Sequence, residues 1–226
     1  MTSKTDTRSV AANPRHLRAR RAWLLAPAAA AGVAAAVLAT RKASAPPHSG
    51  DARYGVPDVP LVTHEGKAVR FHTDLVRGRI VFINMMYAQC TNRCPPMTQN
   101  LKQLHALLGE RMGRDIFMHS ISLQPEFDRP QDLRAYMKQQ GADLPGWTFL
   151  TGAKADVEKL RWALGFYDRD PVLDGDITQH TGLLRIGNDA LDRWSMSPAL
   201  MKPERLLERL MGIDPVSRAL GRKPVG

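Results

Sequence analysis

The feature that most constrains this chain is the junction at residues 79–96. An apolar run, RIVFINMM at 79–86, is followed closely by CTNRC at 90–94 and then by Pro95 and Pro96. A run of this kind, without the polar alternation of a half-buried strand, predicts a strand covered on both faces. Proline suits the first turn of a helix, where its fixed φ is already helical and its missing N–H loses nothing. The junction therefore reads as buried strand, polar loop with two cysteines, then helix. Open α/β sheets build their sites at that carboxyl edge of the strands.

The rest of the chain extends the same alternation. Residues 59–63 and 68–72 read as a hairpin around HEGK at 64–67. Further strands are expected at 115–123 and 147–151. Helices are expected at 95–112, at 128–140 with Gly141 as the stop, at 154–164 and at 203–211. Residues 166–179 read as an irregular acidic loop, and 181–187 with 190–195 as a second hairpin turning at Asn188 and Asp189. Strands alternating with helices imply a mainly parallel central sheet flanked by helices. The expected fold class is α/β, resembling the thioredoxin plan with an added N-terminal β-hairpin.

The net charge of +10 over 226 residues first points to nucleic acid. Its distribution removes that reading. Residues 1–45 hold eight basic side chains against Asp6, which leaves only +3 on the remainder, an ordinary mixed surface. Within the leader, Arg20 and Arg21 precede 18 uncharged residues at 22–39, and the small residues Ala43, Ser44 and Ala45 follow. Arg20, Arg21 and Trp23 resemble a twin-arginine export signal. The expected division is an export signal or N-terminal membrane anchor at 1–45, a linker at 46–55, a thioredoxin-like domain at 56–212 and a C-terminal tail at 213–226. Either form of the leader places the domain outside the cytoplasm, in the periplasm or on the outer face of the inner membrane, because more basic residues precede the apolar run than follow it. No nucleic-acid partner is expected; a membrane is, through an uncleaved leader.

Cys90 and Cys94 are the only cysteines. A domain of this size does not need them to fold. A disulfide closing so short a loop would constrain the unfolded chain little, and a polar loop is a poor place for core residues. At the amino end of a helix, N–H groups and dipole favour the thiolate, the form that binds soft metals or attacks disulfides. Two sulfurs are too few for an iron–sulfur cluster or a closed zinc site; with one imidazole they suit a trigonal copper site. His180 is the candidate by position, because a strand starting there and running antiparallel to 79–86 would begin beside the cysteines, but a lone histidine is more often structural and position alone leaves both readings open. His105 and His119 read as packing residues. A thiol–disulfide oxidoreductase acting on partner cysteines is the alternative, although C-x-x-x-C replaces C-x-x-C and Gln179, not proline, precedes His180. A peroxidase, with Cys90 attacking and Cys94 resolving, has no specific support.

The sequence resembles the Sco/SenC copper chaperones. The resemblance is carried by FINMMYAQC at 82–90, C-x-x-x-C-P at 90–95, His180 ahead of the closing hairpin, and SLQPEFDRP at 122–130. That last segment follows the family's S-x-D-P-x-x-D-x-P pattern except at Gln124, which stands in place of aspartate. The resemblance covers about 54–211. It implies copper bound by Cys90, Cys94 and His180, and copper delivery to, or thiol reduction at, the dinuclear copper site of cytochrome c oxidase. The implied partner is that enzyme's copper-bearing subunit or another copper-accepting protein. Gln124 removes a negative charge near the site. Met85 and Met86 read as core, with a thioether ligand as the alternative. Asp168, Asp170, Asp174 and Asp176 read as a solvated loop, with a docking surface for a basic partner as the alternative.

Overall fold

The computed structural model describes residues 55–179 and 182–221. The leader at 1–45, nearly all of the linker, and His180 lie outside the described residues. Among the described residues no helix is long and apolar enough to cross a membrane.

Seven strands form one sheet: β1 (Pro60–Thr63), β2 (Ala68–Arg70), β3 (Ile80–Met86), β4 (Ile116–Ser122), β5 (Trp147–Gly152), β6 (Leu183–Asn188) and β7 (Arg193–Pro198). Their order is β2-β1-β5-β4-β3-β6-β7. The core strands β3, β4 and β5 run parallel, and every other pairing is antiparallel. All seven residues of β3 are buried. Ile80, Phe82 and Met86 enter one hydrophobic cluster, while Val81, Ile83 and Met85 enter the other. This is the period-two alternation of a strand with protein on both sides, and it explains the unbroken apolar run. Met85 and Met86 are thus core on opposite faces.

Helices cover both faces. On the first lie α1 (Cys94–Leu108), α2 (Pro130–Gln140) and, following α3 (Lys154–Ala163) and α4 (Pro171–Gly175) in the chain, α5 (Pro203–Ile213). They bury Leu101, Leu104, Leu133, Leu206 and Leu210 against Phe82, Met118 and Phe149. On the second face α3 buries Val157 and Leu160 beside Ile83, Ile121 and Leu150. Each such side chain contributes about 1.5–3 kcal/mol. Gly141 ends α2 in the left-handed conformation at φ 62°, as its position predicts.

The structure departs from the sequence reading in six places, the first being α1, which ends at Leu108 with a 3-10 turn at Gly109–Arg111 instead of running to 112. The second strand stops at Arg70, and Phe71–Val76 makes a π-helical turn that buries Phe71 and Val76; Asp74 accepts the Arg70 N–H at its start (2.6 Å). Helix α2 starts at Pro130 rather than 128. The acidic stretch is not irregular throughout: it contains α4 and a 3-10 turn at Ile177–Gln179. The closing hairpin turns over Asp189–Leu191 and a left-handed Asp192, with Asn188 still paired to Arg193. Beyond 212, Ile213 and Asp214 are buried and α6 (Pro215–Gly221) follows, tied down where Arg111 meets Asp214 (2.8 Å) and Ser217 (2.6 Å).

Candidate metal centre

The chain leaves the sheet at Met86, turns through Tyr87, Ala88 and Gln89, and re-enters regular structure when Cys94 opens α1. Pro95 and Pro96 fill the first turn, as expected. The Cys90 N–H donates to the Tyr87 carbonyl (3.2 Å), and the Cys94 N–H donates to Cys90 Sγ (3.2 Å). The two cysteines are brought together and no disulfide joins them.

Both are more buried than a polar loop suggests. Cys90 is 5% exposed, Cys94 0%, and both belong to the cluster under α1. Helix onset turns Cys94 inward, while the exposed part of the loop is Gln89, Thr91 and Asn92. The thiols are unequal. Burial pushes the Cys90 thiol up, but hydrogen bonds from the Cys94 thiol, from the Cys94 and Asn92 N–H groups and from Tyr87 outweigh it, so its pKa is lowered. Cys94 goes the other way, driven up first by burial and then by its bond to Cys90. The helix-end argument therefore holds for Cys90 and fails for Cys94, although Cys94 is the residue on the helix. The N–H groups reach the sulfur of the residue before the helix. Tyr87 is pushed up to about 12 by burial and its bond to Cys90.

Two polar contacts hold the loop from behind. Asp128, 1% exposed, accepts the Ala88 N–H (2.9 Å) and the Ser122 hydroxyl (2.6 Å) on one oxygen. Thr98 donates to the Cys94 carbonyl (2.9 Å) and meets the Tyr136 hydroxyl (2.9 Å). In the sequence Asp128 reads as the start of a helix, and nothing local points to this role. Its one available signal is the lone aspartate of SLQPEFDRP, which fills the second aspartate position of the family pattern. The backbone of Gln124 caps the same turn: its carbonyl accepts from Phe127 and Asp128 (2.9 and 2.8 Å).

His180 lies outside the described residues. Its described neighbours are the turn at Ile177–Gln179 and β6, in which Leu184 pairs with Asn84 of β3. Among the described residues no group of three or more Cys, His, Asp or Glu side chains comes together to hold an ion. The two histidines that read as packing residues are engaged elsewhere: His105 Nε2 with the Pro145 carbonyl (2.8 Å) and His119 with the Leu75 carbonyl (3.2 Å). The acidic residues largely serve their own segment. Arg161 pairs with Asp174 through two contacts (2.6 and 2.9 Å), Asp170 caps α4, and Asp176 accepts from Thr178.

A paired, buried dithiol between the end of a parallel strand and the start of a helix, on this sheet, makes the molecule a dithiol protein of thioredoxin-like fold. The SCO1/SenC family model matches residues 51–212, and the chain belongs to that family. The SCO1 protein homolog of Bacillus subtilis (strain 168) is 26% identical over 108 residues, or 47% of this chain and 54% of that protein. The chain thus spans about half the length of that relative. Bradyrhizobium japonicum ScoI with copper bound has a TM-score of 0.55 at 24% identity, covering 70% of this chain and 99% of that one. BsSco, a member of the Sco family of cytochrome c oxidase assembly proteins in which a disulfide switch is identified, has a TM-score of 0.57 at 20% identity, covering 70% and 91%. At these identities the structural likeness shows the fold.

Proposed function

We propose that this protein is a copper chaperone, not an enzyme, that holds one copper ion with Cys90, Cys94 and His180. The observation that carries the reading is the shared environment of the two sulfurs: a thiol–thiol hydrogen bond, a helix N–H on Cys90 Sγ at 3.2 Å, and no disulfide. Soft thiolates select Cu(I), and an added imidazole extends the set to Cu(II). Thiols bind metal as thiolates, so loading releases protons, most notably the one that burial holds on Cys94. The copper-bound ScoI of Bradyrhizobium supports the choice of metal. His180 is the third ligand in this reading because β6 begins beside the end of β3. The cargo goes to the dinuclear copper site of cytochrome c oxidase, through that enzyme's copper-bearing subunit or another copper acceptor. The work is done outside the cytoplasm, on the strength of the leader.

The inequality of the thiols favours one second reading. A lowered Cys90 backed by a protonated Cys94 is the arrangement of an attacking and a resolving thiol, which would reduce disulfides in a partner. Copper titration separates the two. Cys90→Ser and Cys94→Ser should each abolish tight Cu(I) binding, because a hard hydroxyl replaces a soft thiolate. His180→Ala should still bind Cu(I) and lose the thiolate–Cu(II) absorption band. A His180→Ala variant that binds Cu(II) like the parent sinks the three-ligand site. Rapid turnover with a disulfide substrate and weak Cu(I) affinity would move the reductase ahead.

A further inference from the structure

We infer that Asp128 is the positioning residue of the cysteine loop, holding Ala88, and through it the two thiols, in the arrangement that receives the metal. The metal half of this inference rests on the function proposed above; the loop half does not.

Arg129 is the N-cap of α2, and Asp132 in the first turn reaches back to accept its N–H (3.0 Å). Asp128, one residue further out, turns its carboxylate instead into the protein. A buried carboxylate costs several kcal/mol unless its oxygens are well bonded. Burial does push the Asp128 carboxyl above its ordinary range, against the pull of its bonds to Ser122 and Ala88. A carboxyl group kept in a 1% exposed position, with one oxygen accepting two hydrogen bonds, has a structural task.

The task is visible in what its oxygen joins. The β3–β4 ladder closes with Met86 opposite Ser122, and the Leu123 N–H donates to the Met86 carbonyl (2.7 Å). Ala88 is the second residue beyond that ladder, and its N–H needs a new acceptor. Asp128 supplies it at 2.9 Å and fastens the same oxygen to Ser122 at the end of β4. The loop is therefore pinned to the sheet on its entering side. From there the bonds run inward: Tyr87 carbonyl to Cys90 N–H, then Cys94 N–H to Cys90 Sγ. On its leaving side the loop is pinned by α2, through Tyr136 and Thr98 to the Cys94 carbonyl. A segment of nine residues, from Asp128 to Tyr136, thus grips both ends of the dithiol loop, and Asp128 is its only buried acid or base.

The test compares the full chain with Asp128→Ala, Asp128→Asn and the double variant Asp128→Leu/Ser122→Ala. Three quantities are read: amide hydrogen exchange across residues 87–94, melting temperature, and Cu(I) affinity by competition with a chromophoric chelator. Asp128→Ala should speed exchange at 87–94 while β4 and α2 keep theirs, and should weaken Cu(I) binding by about 10–100-fold, as loss of a group supporting a metal ligand does. Asp128→Asn keeps an oxygen for Ala88 and should return both readouts close to the parent. If the alanine variant does not fold, the double variant carries the same expectation, because it removes the Ser122 donor together with its acceptor. A parent that binds no copper overturns the proposed function and leaves Asp128 to be judged by exchange, which needs no metal. Unchanged exchange at 87–94 in the folded alanine or double variant overturns the assignment. So does an asparagine variant as loose as the alanine variant, since charge rather than the acceptor oxygen would then be the agent.

Discussion

The two faces of the central sheet bury polar groups in different ways. On the face under α1 and α2, around the dithiol loop, those groups are joined. Asp128 links Ala88 to Ser122, Tyr136 meets Thr98, which holds Cys94, and Trp147 Nε1 donates to Ser120 (3.0 Å), which donates to Asn84 (2.8 Å). On the other face His119 sits inside β4, edge-on to Phe71 with ring centroids 6.1 Å apart. One ring nitrogen lies 3.2 Å from the Leu75 carbonyl, and the other, Nδ1, has no partner among the described residues. Burial pushes its pKa down to about 4. The first face uses buried polarity to fix a loop. The second holds a buried group that stays neutral and can only lose stability when it is asked to charge.

The strongest way to break that comparison is to ask whether the linked face really makes its two thiols unequal. Carboxymethylation of the reduced protein near neutral pH should go to completion at Cys90 before Cys94 is detectably modified, because the thiolate is the nucleophile. The rate at Cys90 should level off below the ordinary thiol range, since its pKa is lowered, and Cys94 should respond only on unfolding. Peptide mass spectrometry reads both. Equal labelling would mean that the bonds converging on Cys90 Sγ do not hold in solution.

Much of this was legible in the sequence, and what escaped shares a cause. The run at 79–86 announced a strand buried on both faces because every second side chain is apolar on each side. Pro95, Pro96 and Gly141 marked helix ends because their backbone preferences are local. The dithiol was visible from spacing alone. The burial of Cys94 was not, since a loop's polarity says nothing about which way the first helical turn rotates. Asp128 was hidden for the same reason: its partners, Ala88 and Ser122, are 40 and 6 residues away, and only the fold brings them together. The turn at Phe71–Val76 escaped because Phe71 and Val76 have the spacing of a strand residue followed by a linker, while the deciding contact, Asp74 to the Arg70 N–H, is a side-chain choice.

The unlinked face gives a prediction of intermediate size. With its pKa near 4 in the fold and 6.5 as the ordinary value, His119 stays neutral in the native protein while the unfolded chain takes up a proton. Its contribution is therefore fully present above about pH 6.5, is lost as pH falls toward 4, and is flat below that. The span corresponds to about 3 kcal/mol. Carboxylates also titrate there, so the measurement is the difference between parent and His119→Gln in urea unfolding from pH 7 to 4. The parent should lose about that much more than the variant. Parallel curves would mean that His119 is solvated in the native state.

The smallest effect sharpens the comparison at single hydroxyls. Thr98 and Thr151 are both buried threonines, 4% and 6% exposed. Thr98 Oγ1 has two partners, Cys94 and Tyr136, whereas Thr151 Oγ1 has none among the described residues. Valine has nearly the same shape and no hydroxyl. Thr98→Val leaves a buried carbonyl and a buried phenol short of a bond, which costs about 1–2 kcal/mol. Thr151→Val removes a group that is already unpaired, so it should change stability by less than about 0.5 kcal/mol or raise it slightly. Urea midpoints of the two variants at one pH decide the matter. Tyr136→Phe added to Thr98→Val should cost less than the two single changes taken separately, because the first removes the donor that the second leaves stranded. If Thr98→Val is as mild as Thr151→Val and the cycle shows no coupling, then Thr98 fills space beside Cys94 without holding it, and the leaving side of the dithiol loop is fixed by packing alone.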